Sequence, residues 1–300
     1  MNQHPPFLNE GDLIVIVAPA KAIEVEHVQF ATAFLKDQGF EVMISAHCLG
    51  KAHYFSGSVE ERRSDFQSAL NDPTVKAILC ARGGYGCVQL VDDLDWSVLE
   101  KTPKWIIGFS DVTVFHQRLH LLGHPSIHGT MPLNFSTNTE RALSSLIQAL
   151  TQPGYHLKAD PHLMNVHGRA HGLLIGGNLS ILYSLLGTND QVNYSERILF
   201  VEDLAEHLYA LDRMLYAFKK AGVLQQLAGF IVGGMTDMKD TAVPFGRSLE
   251  EIILEHVGSL GVPVVFNFPC GHVDDNLALR FGESVRLNVD ASGTDLTFGA

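Results

Sequence analysis

Short apolar runs alternate with amphipathic stretches through the first half of the chain. Asp12-Leu13-Ile14-Val15-Ile16-Val17-Ala18-Pro19 is continuously apolar from Leu13 and ends at a proline. Strands buried on both faces read this way, as in parallel sheets. Val28, Phe30, Ala31, Phe34 and Leu35 then recur at helical spacing up to Gly39, and Glu41-Val42-Met43-Ile44 reads as a second strand. Ser58 to Leu70 predicts a helix opened by a capping box, with Glu61 three residues after Ser58. Val75 to Ala81 is the next strand, Val88 to Leu94 reads as helical, and Trp105-Ile106-Ile107 is a further buried strand. Ile127-His128-Gly129 predicts a short strand and Arg141 to Leu150 a helix. This alternation predicts right-handed βαβ units, hence an α/β fold with a doubly wound parallel sheet over residues 1–150.

The pattern then lapses. Thr151 to His171 holds Pro153, Gly154, Pro161 and Gly168 without a clear period, so residues 151–171 read as a connector. Residues 172–300 predict a smaller, mixed, β-rich domain. Its strands are Gly172 to Gly176, Arg197 to Val201, Gly229 to Gly233 and Val262 to Phe266. Its helices follow Asn178 and run from Tyr209 to Lys220 and from Leu249 to Val257, and Ser284 to Phe298 alternates like antiparallel strands.

Charge narrows the partners. With 21 basic and 33 acidic residues the net charge is -12, which argues against a nucleic-acid groove or an anionic membrane surface. No run of roughly 18 apolar residues predicts a membrane span, and Met1 to Asp12 shows no secretory pattern. Cys48, Cys80, Cys87 and Cys270 form no CxxC pair and suit free thiols in a reducing cytosol.

Chemistry gathers where strands end. Ser110 follows Trp105-Ile106-Ile107-Gly108-Phe109 and precedes Val112, Phe115, Leu119 and Leu122 at helical spacing. It therefore sits on a sharp strand-to-helix turn, either as an exposed nucleophile or as a plain helix N-cap. Arg82-Gly83-Gly84-Tyr85-Gly86 follows another strand and lacks both phosphate-loop patterns. Its bare amides suit a reacting oxygen, or simply a tight turn. Glu202 and His272 also follow strands. A serine needs a base, and that base needs a carboxylate, but the residues alone do not select these two.

Other candidates point less clearly to chemistry. His116, His120 and His124 recur on one helix face without a third zinc ligand, and His162, His167 and His171 lie in the connector, so no metal is expected. Cys87 is a conceivable thiol nucleophile without an elbow of its own. Arg82 suits either a substrate carboxylate or a strand edge.

The chain resembles the LD-carboxypeptidases, the S66 serine peptidases, over nearly its whole length. The resemblance rests on Gly11-Asp12 through Ala18-Pro19, Arg82 to Gly86, Gly108-Phe109-Ser110-Asp111, Ile127-His128-Gly129, Gly176-Gly177-Asn178-Leu179, Glu202-Asp203, Asp212-Arg213-Met214-Leu215 and Gly271-His272. It departs at Phe109, where Tyr is frequent, at Ala20, where Ser is common, and at Glu206-His207, where Glu-Pro is commoner. The resemblance implies a site between two domains and a triad of Ser110, Glu202 and His272. The backbone N–H groups of Gly84 and Asp111 are the expected oxyanion donors, with Arg82 and Asn178 as candidate substrate contacts. It implies release of a C-terminal D-amino acid, typically D-alanine from a muropeptide tetrapeptide in the cytoplasm, without cofactor, by an expected homodimer. The alternatives are a microcin-type immunity peptidase cleaving a peptidyl-nucleotide and a non-catalytic ligand-binding module.

Overall fold

A computed structural model describes residues 4–299. The first half runs β1 (Leu13–Val17), α1 (Val25–Asp37), β2 (Glu41–Ile44), α2 (Val59–Asn71), β3 (Val75–Cys80), β4 (Trp105–Gly108), α3 (Thr113–Leu121), β5 (Ser126–His128), α4 (Pro132–Phe135) and α5 (Glu140–Thr151). The second half runs β6 (His156–Ala159), β7 (Gly168–Asn178), α6 (Leu179–Ser184), β8 (Ile198–Leu204), α7 (Leu208–Lys220), β9 (Gly229–Thr236), α8 (Leu249–Val257), β10 (Val264–Val265), β11 (Leu279–Phe281), β12 (Ser284–Asp290) and β13 (Gly293–Phe298).

The first sheet has six strands in the order β11-β5-β4-β3-β1-β2. β1 to β5 pair in parallel, and β11 pairs antiparallel with β5. The continuous apolar runs serve two core layers at once. Ile14 and Ile16 of β1 join one buried cluster, whereas Val15 and Val17 join the other, and Leu79 and Ile78 of β3 divide the same way. Each fully buried side chain contributes roughly 1.5–3 kcal/mol. Strand order reverses between β1 and β3, the place where such sheets open a crevice at their carboxyl ends. The second sheet has seven strands, β10-β9-β8-β7-β12-β13-β6. β7 to β10 pair in parallel, and β12, β13 and β6 form an antiparallel wing.

Most expected elements form within a few residues of the reading, and Ser58 and Glu61 make the expected capping box. Three segments differ. Val88 to Leu94 is not a helix: Cys87–Gln89 is one 3-10 turn, and Leu90 and Asp93 bond three residues back. The apolar spacing there packs successive turns. The connector carries β6 and the start of β7, whose alternation of exposed and buried positions is too short to stand out. β11 spans three residues and so carries no period. Its Arg280 is fully buried, with the guanidinium over the Tyr155 ring and donating to the Gln152 and Pro153 carbonyls. No described helix is long and apolar enough to cross a membrane.

Candidate active site

β4 delivers Ser110 to the crevice. Ser110 has φ +62°, a left-handed conformation that costs a non-glycine residue on the order of 1–2 kcal/mol. A 3-10 turn, Ser110–Val112, leads from it into α3. Phe109 holds the cap position, so Ser110 is not an N-cap and its hydroxyl is not used to start the helix. Gly108 permits the turn, because a Cβ there would stand 2.8 Å from Val112. His116 pins α3 beneath it, its ring nitrogens 2.8 Å from Ser126 Oγ and 2.9 Å from the Gly108 carbonyl oxygen. His116, the first of the three histidines at this spacing, is thus structural. No described group of His, Cys, Asp and Glu suits a metal.

The glycine loop after β3 lies against this turn. A Cβ on Gly83 would be 3.1 Å from Ser110 Cβ and 3.3 Å from both Ser110 Oγ and the Asp111 nitrogen. Gly84 has φ +106°, and its N–H meets no acceptor among the described residues. Cys87 N–H donates to the Asp111 carboxylate at 2.9 Å, tying loop to turn. Arg62, buried and unnoticed in the sequence, joins the loops after β1 and β3 by donating to the Pro19 and Gly86 carbonyls at 2.7 and 3.3 Å. Arg82 donates to the Ala22 carbonyl at 3.0 Å while lining the cavity. Cys87 is fully buried, and burial pushes its thiol well above the ordinary range, which removes it as a nucleophile.

The second sheet approaches through Gly176 and Gly177. A Cβ on Gly177 would stand 2.4 Å from Thr113 Oγ1, so only glycine lets β7 meet the nucleophile helix this closely. Asn178 N–H donates to the same Thr113 hydroxyl at 3.0 Å. The Asn178 side chain caps α6 through Ile181 N–H and donates to Asp203 Oδ1 at 3.0 Å. It lines the cavity with most of its bonding capacity already engaged. Asp203 also lines the cavity. Burial pushes its carboxyl up to about 6 against the bond from Leu204 N–H, and the charge of Glu202 adds to the rise.

β8 places Glu202, fully buried, behind His272. His272 Nδ1 is 2.6 Å from Glu202 Oε2. A carboxylate only accepts, so Nδ1 carries a proton, and in the neutral imidazole Nε2 is then the nitrogen with the lone pair. Burial pulls this imidazole down, but the bond to Glu202, its charge and that of Asp203 outweigh it and leave the net shift upward. A Cβ on Gly271 would stand 2.7 Å from Glu202 Cβ, so glycine permits this contact too. Phe109 meets the His272 ring edge-on at 4.9 Å.

Ser110, Asp111, Gly84, Arg82, Asn178, Asp203 and His272 line one cavity of about 320 Å³. Ser110 and His272 share it without a direct hydrogen bond among the described residues, and such contacts often tighten only when substrate binds. A larger cavity of about 870 Å³ holds none of these groups. The arrangement supplies a half-buried hydroxyl lining the cavity, an imidazole oriented by a buried carboxylate, and amide donors without an acceptor among the described residues: the parts of acyl transfer.

The family model for the LD-carboxypeptidase N-terminal domain matches residues 14–129, and that for the C-terminal domain matches residues 171–287. The murein tetrapeptide carboxypeptidase of Pseudomonas aeruginosa is 32% identical, over 91% of this chain and 92% of its own. The crystal structure of muramoyltetrapeptide carboxypeptidase from Oxalobacter formigenes superposes with a TM-score of 0.87 at 29% identity, covering 96% of this chain and 99% of that one. The MccF-like protein from Bacillus anthracis, at 24% identity and TM-score 0.86 over 98% of each chain, shares the fold. With both of its domain families matched, the chain belongs to the LD-carboxypeptidases and is a serine-type carboxypeptidase.

Proposed function

We propose that the protein removes a C-terminal D-alanine from a murein tetrapeptide, with Ser110 as nucleophile, His272 as base and then acid, and Glu202 orienting the imidazole. The observation that carries this reading is the 2.6 Å Glu202–His272 pair opening onto the same cavity as the strained Ser110. Ser110 Oγ attacks the carbonyl of the bond before the terminal residue and passes its proton to His272 Nε2. The tetrahedral oxyanion takes hydrogen bonds from Gly84 and Asp111 N–H, each such donor lowering the barrier by roughly 2.7–4 kcal/mol. His272 then protonates the leaving amine, and water repeats the sequence on the acyl-enzyme.

Arg82 is the proposed partner of the terminal carboxylate. It lines the cavity, and its guanidinium spends one nitrogen on Ala22. Asn178 reaches substrate only through capacity left over from its cap. The proposed setting is the cytoplasm, with the enzyme a homodimer. Four buried, free cysteines suit a reducing compartment. The likeness to the MccF-like protein is one of fold and carries no argument for a nucleotide substrate.

The test is kcat/KM on two tetrapeptides differing only in D- or L-alanine at the end. An approach fixed by Ser110 and the oxyanion donors misplaces one diastereomer's carbonyl, and about 1 Å costs roughly a hundredfold. The D-peptide is expected to be preferred by at least that order. Equal rates would sink the stereospecific assignment.

A further inference from the structure

His272 sits on the segment that crosses from the second sheet to the first, between β10 and β11. Bonds from the second half hold it to Glu202's side. Thr236 Oγ1 donates to the His272 carbonyl at 2.7 Å, and Gly234 N–H donates to the Cys270 carbonyl at 2.8 Å. None of these bonds refers to Ser110, which belongs to the first sheet.

A second set of bonds does. Asn138, between α4 and α5, donates from Nδ2 to the Asp274 carbonyl at 2.8 Å and to the Val273 carbonyl at 3.4 Å, directly after His272. Its Oδ1 accepts from the hydroxyl of fully buried Thr130. Thr130 follows Gly129, whose N–H donates to the Gly108 carbonyl at 3.3 Å, two residues before Ser110. The chain of contacts thus runs unbroken from the nucleophile turn to the histidine loop. Arg141 reinforces it with a 2.8 Å ion pair to Asp275.

We propose that Asn138 is a positioning residue, holding the His272 loop in register with Ser110 through paired bonds to the Val273 and Asp274 carbonyls. This rests on the serine–histidine reading above. Glu202 sets the tautomer and basicity of the imidazole, and Asn138 sets its distance from the hydroxyl. Loss of Asn138 leaves the Glu202–His272 bond in place and removes the contacts to the Val273 and Asp274 carbonyls. Thr139 N–H, donating to the Asp274 carbonyl at 3.0 Å, and the Arg141–Asp275 pair still tether the loop beyond Val273. The residues nearest His272 are therefore the ones that shift toward the second sheet. A misplacement of about 1 Å costs roughly a hundredfold in rate.

The experiment compares wild type with Asn138→Ala and Asn138→Asp. Asn138→Asp keeps the volume and replaces the amide donor by an acceptor facing two carbonyls. Both variants are expected to lose roughly ten- to a hundredfold in kcat, with KM within about twofold and the pH midpoint of the rate unchanged. Labelling of Ser110 by a fluorophosphonate, which needs no peptide, is expected to slow in parallel. Should Asn138→Ala fail to fold, Arg141→Ala removes a solvent-exposed ion pair that contributes little to stability, and a fall in kcat of a few-fold is expected. Wild-type rates in Asn138→Ala overturn the proposal, as do wild-type rates in Asn138→Asp, which would mean the side chain only fills space. A shifted pH midpoint overturns it too, because the effect would then run through Glu202. Labelling that is absent in wild type, or survives Ser110→Ala, overturns the serine–histidine reading and the proposal together. Normal wild-type labelling with normal Asn138→Ala labelling overturns the proposal alone.

Discussion

The two sides of the cavity are built on different principles. The Ser110 side is local: β4, one glycine, a left-handed serine and α3 follow one another within seventeen residues, Trp105 to Leu121. The His272 side is assembled at a distance, because Glu202 and His272 lie 70 positions apart and meet only when the second sheet closes. Local construction fixes a conformation, here a strained φ of +62°. Long-range construction fixes an electrostatic state, here a buried carboxylate against an imidazole. The proposed chemistry needs both, and at Gly177 β7 of the second half packs directly on Thr113 of the nucleophile helix.

The difference predicts how each side fails. Ser110→Ala removes the proposed nucleophile without disturbing packing, since the hydroxyl neither caps α3 nor bonds to a neighbour among the described residues. Turnover is expected to fall by on the order of 10⁴ to 10⁶, with the melting temperature within a few degrees of wild type. Full activity in that variant would remove the serine assignment altogether.

The same difference governs what the sequence reveals. The turn at Ser110 is legible because its neighbours are its context, an apolar run, a glycine and a helical period. That context leaves nucleophile and N-cap both open until Phe109 is seen to hold the cap and Ser110 to have φ +62°. Glu202 and His272 look like any polar residues after a strand, and only whole-chain resemblance selects them. Gly176 and Gly177 read as a turn, yet the structure gives them a reason in Phe200 and Thr113, residues far away in the chain. β6 and β11 are too short for a period to register, and β11 joins a sheet whose other strands end at His128. Arg62 hides in an ordinary polar helix pattern, because its targets are the backbone carbonyls of two distant loops. Local geometry is written in local sequence, and the pairings between halves are not.

The electrostatic side breaks next. Glu202→Gln keeps the volume of the buried group and removes its charge. A neutral amide offers Nδ1 either a donor or an acceptor and no longer fixes the proton there. Loss of the fixed tautomer costs on the order of 10⁴ in kcat in a comparable triad. The expected outcome is a loss of that size with Ser110 geometry unchanged. A loss under about tenfold would show that Glu202 merely fills its place.

The smallest effect, and the sharpest test of the division, is the pH dependence. The base must be neutral to accept the serine proton, so activity disappears as pH falls through the His272 pKa. Burial alone would set that pKa below the ordinary value of about 6.5, but Glu202, by its bond and its charge, reverses the direction. The acid limb of kcat/KM, which reports the free enzyme, is therefore expected to have its midpoint above about 6.5, with rates falling about tenfold per pH unit below it. In Glu202→Gln the upward influence that remains is the weaker charge of Asp203, while burial, the largest single influence, stands. The residual activity of that variant is expected to show its limb displaced toward lower pH, even as the rate collapses. A limb that stays in place in Glu202→Gln, or starts below the ordinary histidine value in wild type, would mean that some group other than the Glu202–His272 pair sets the base.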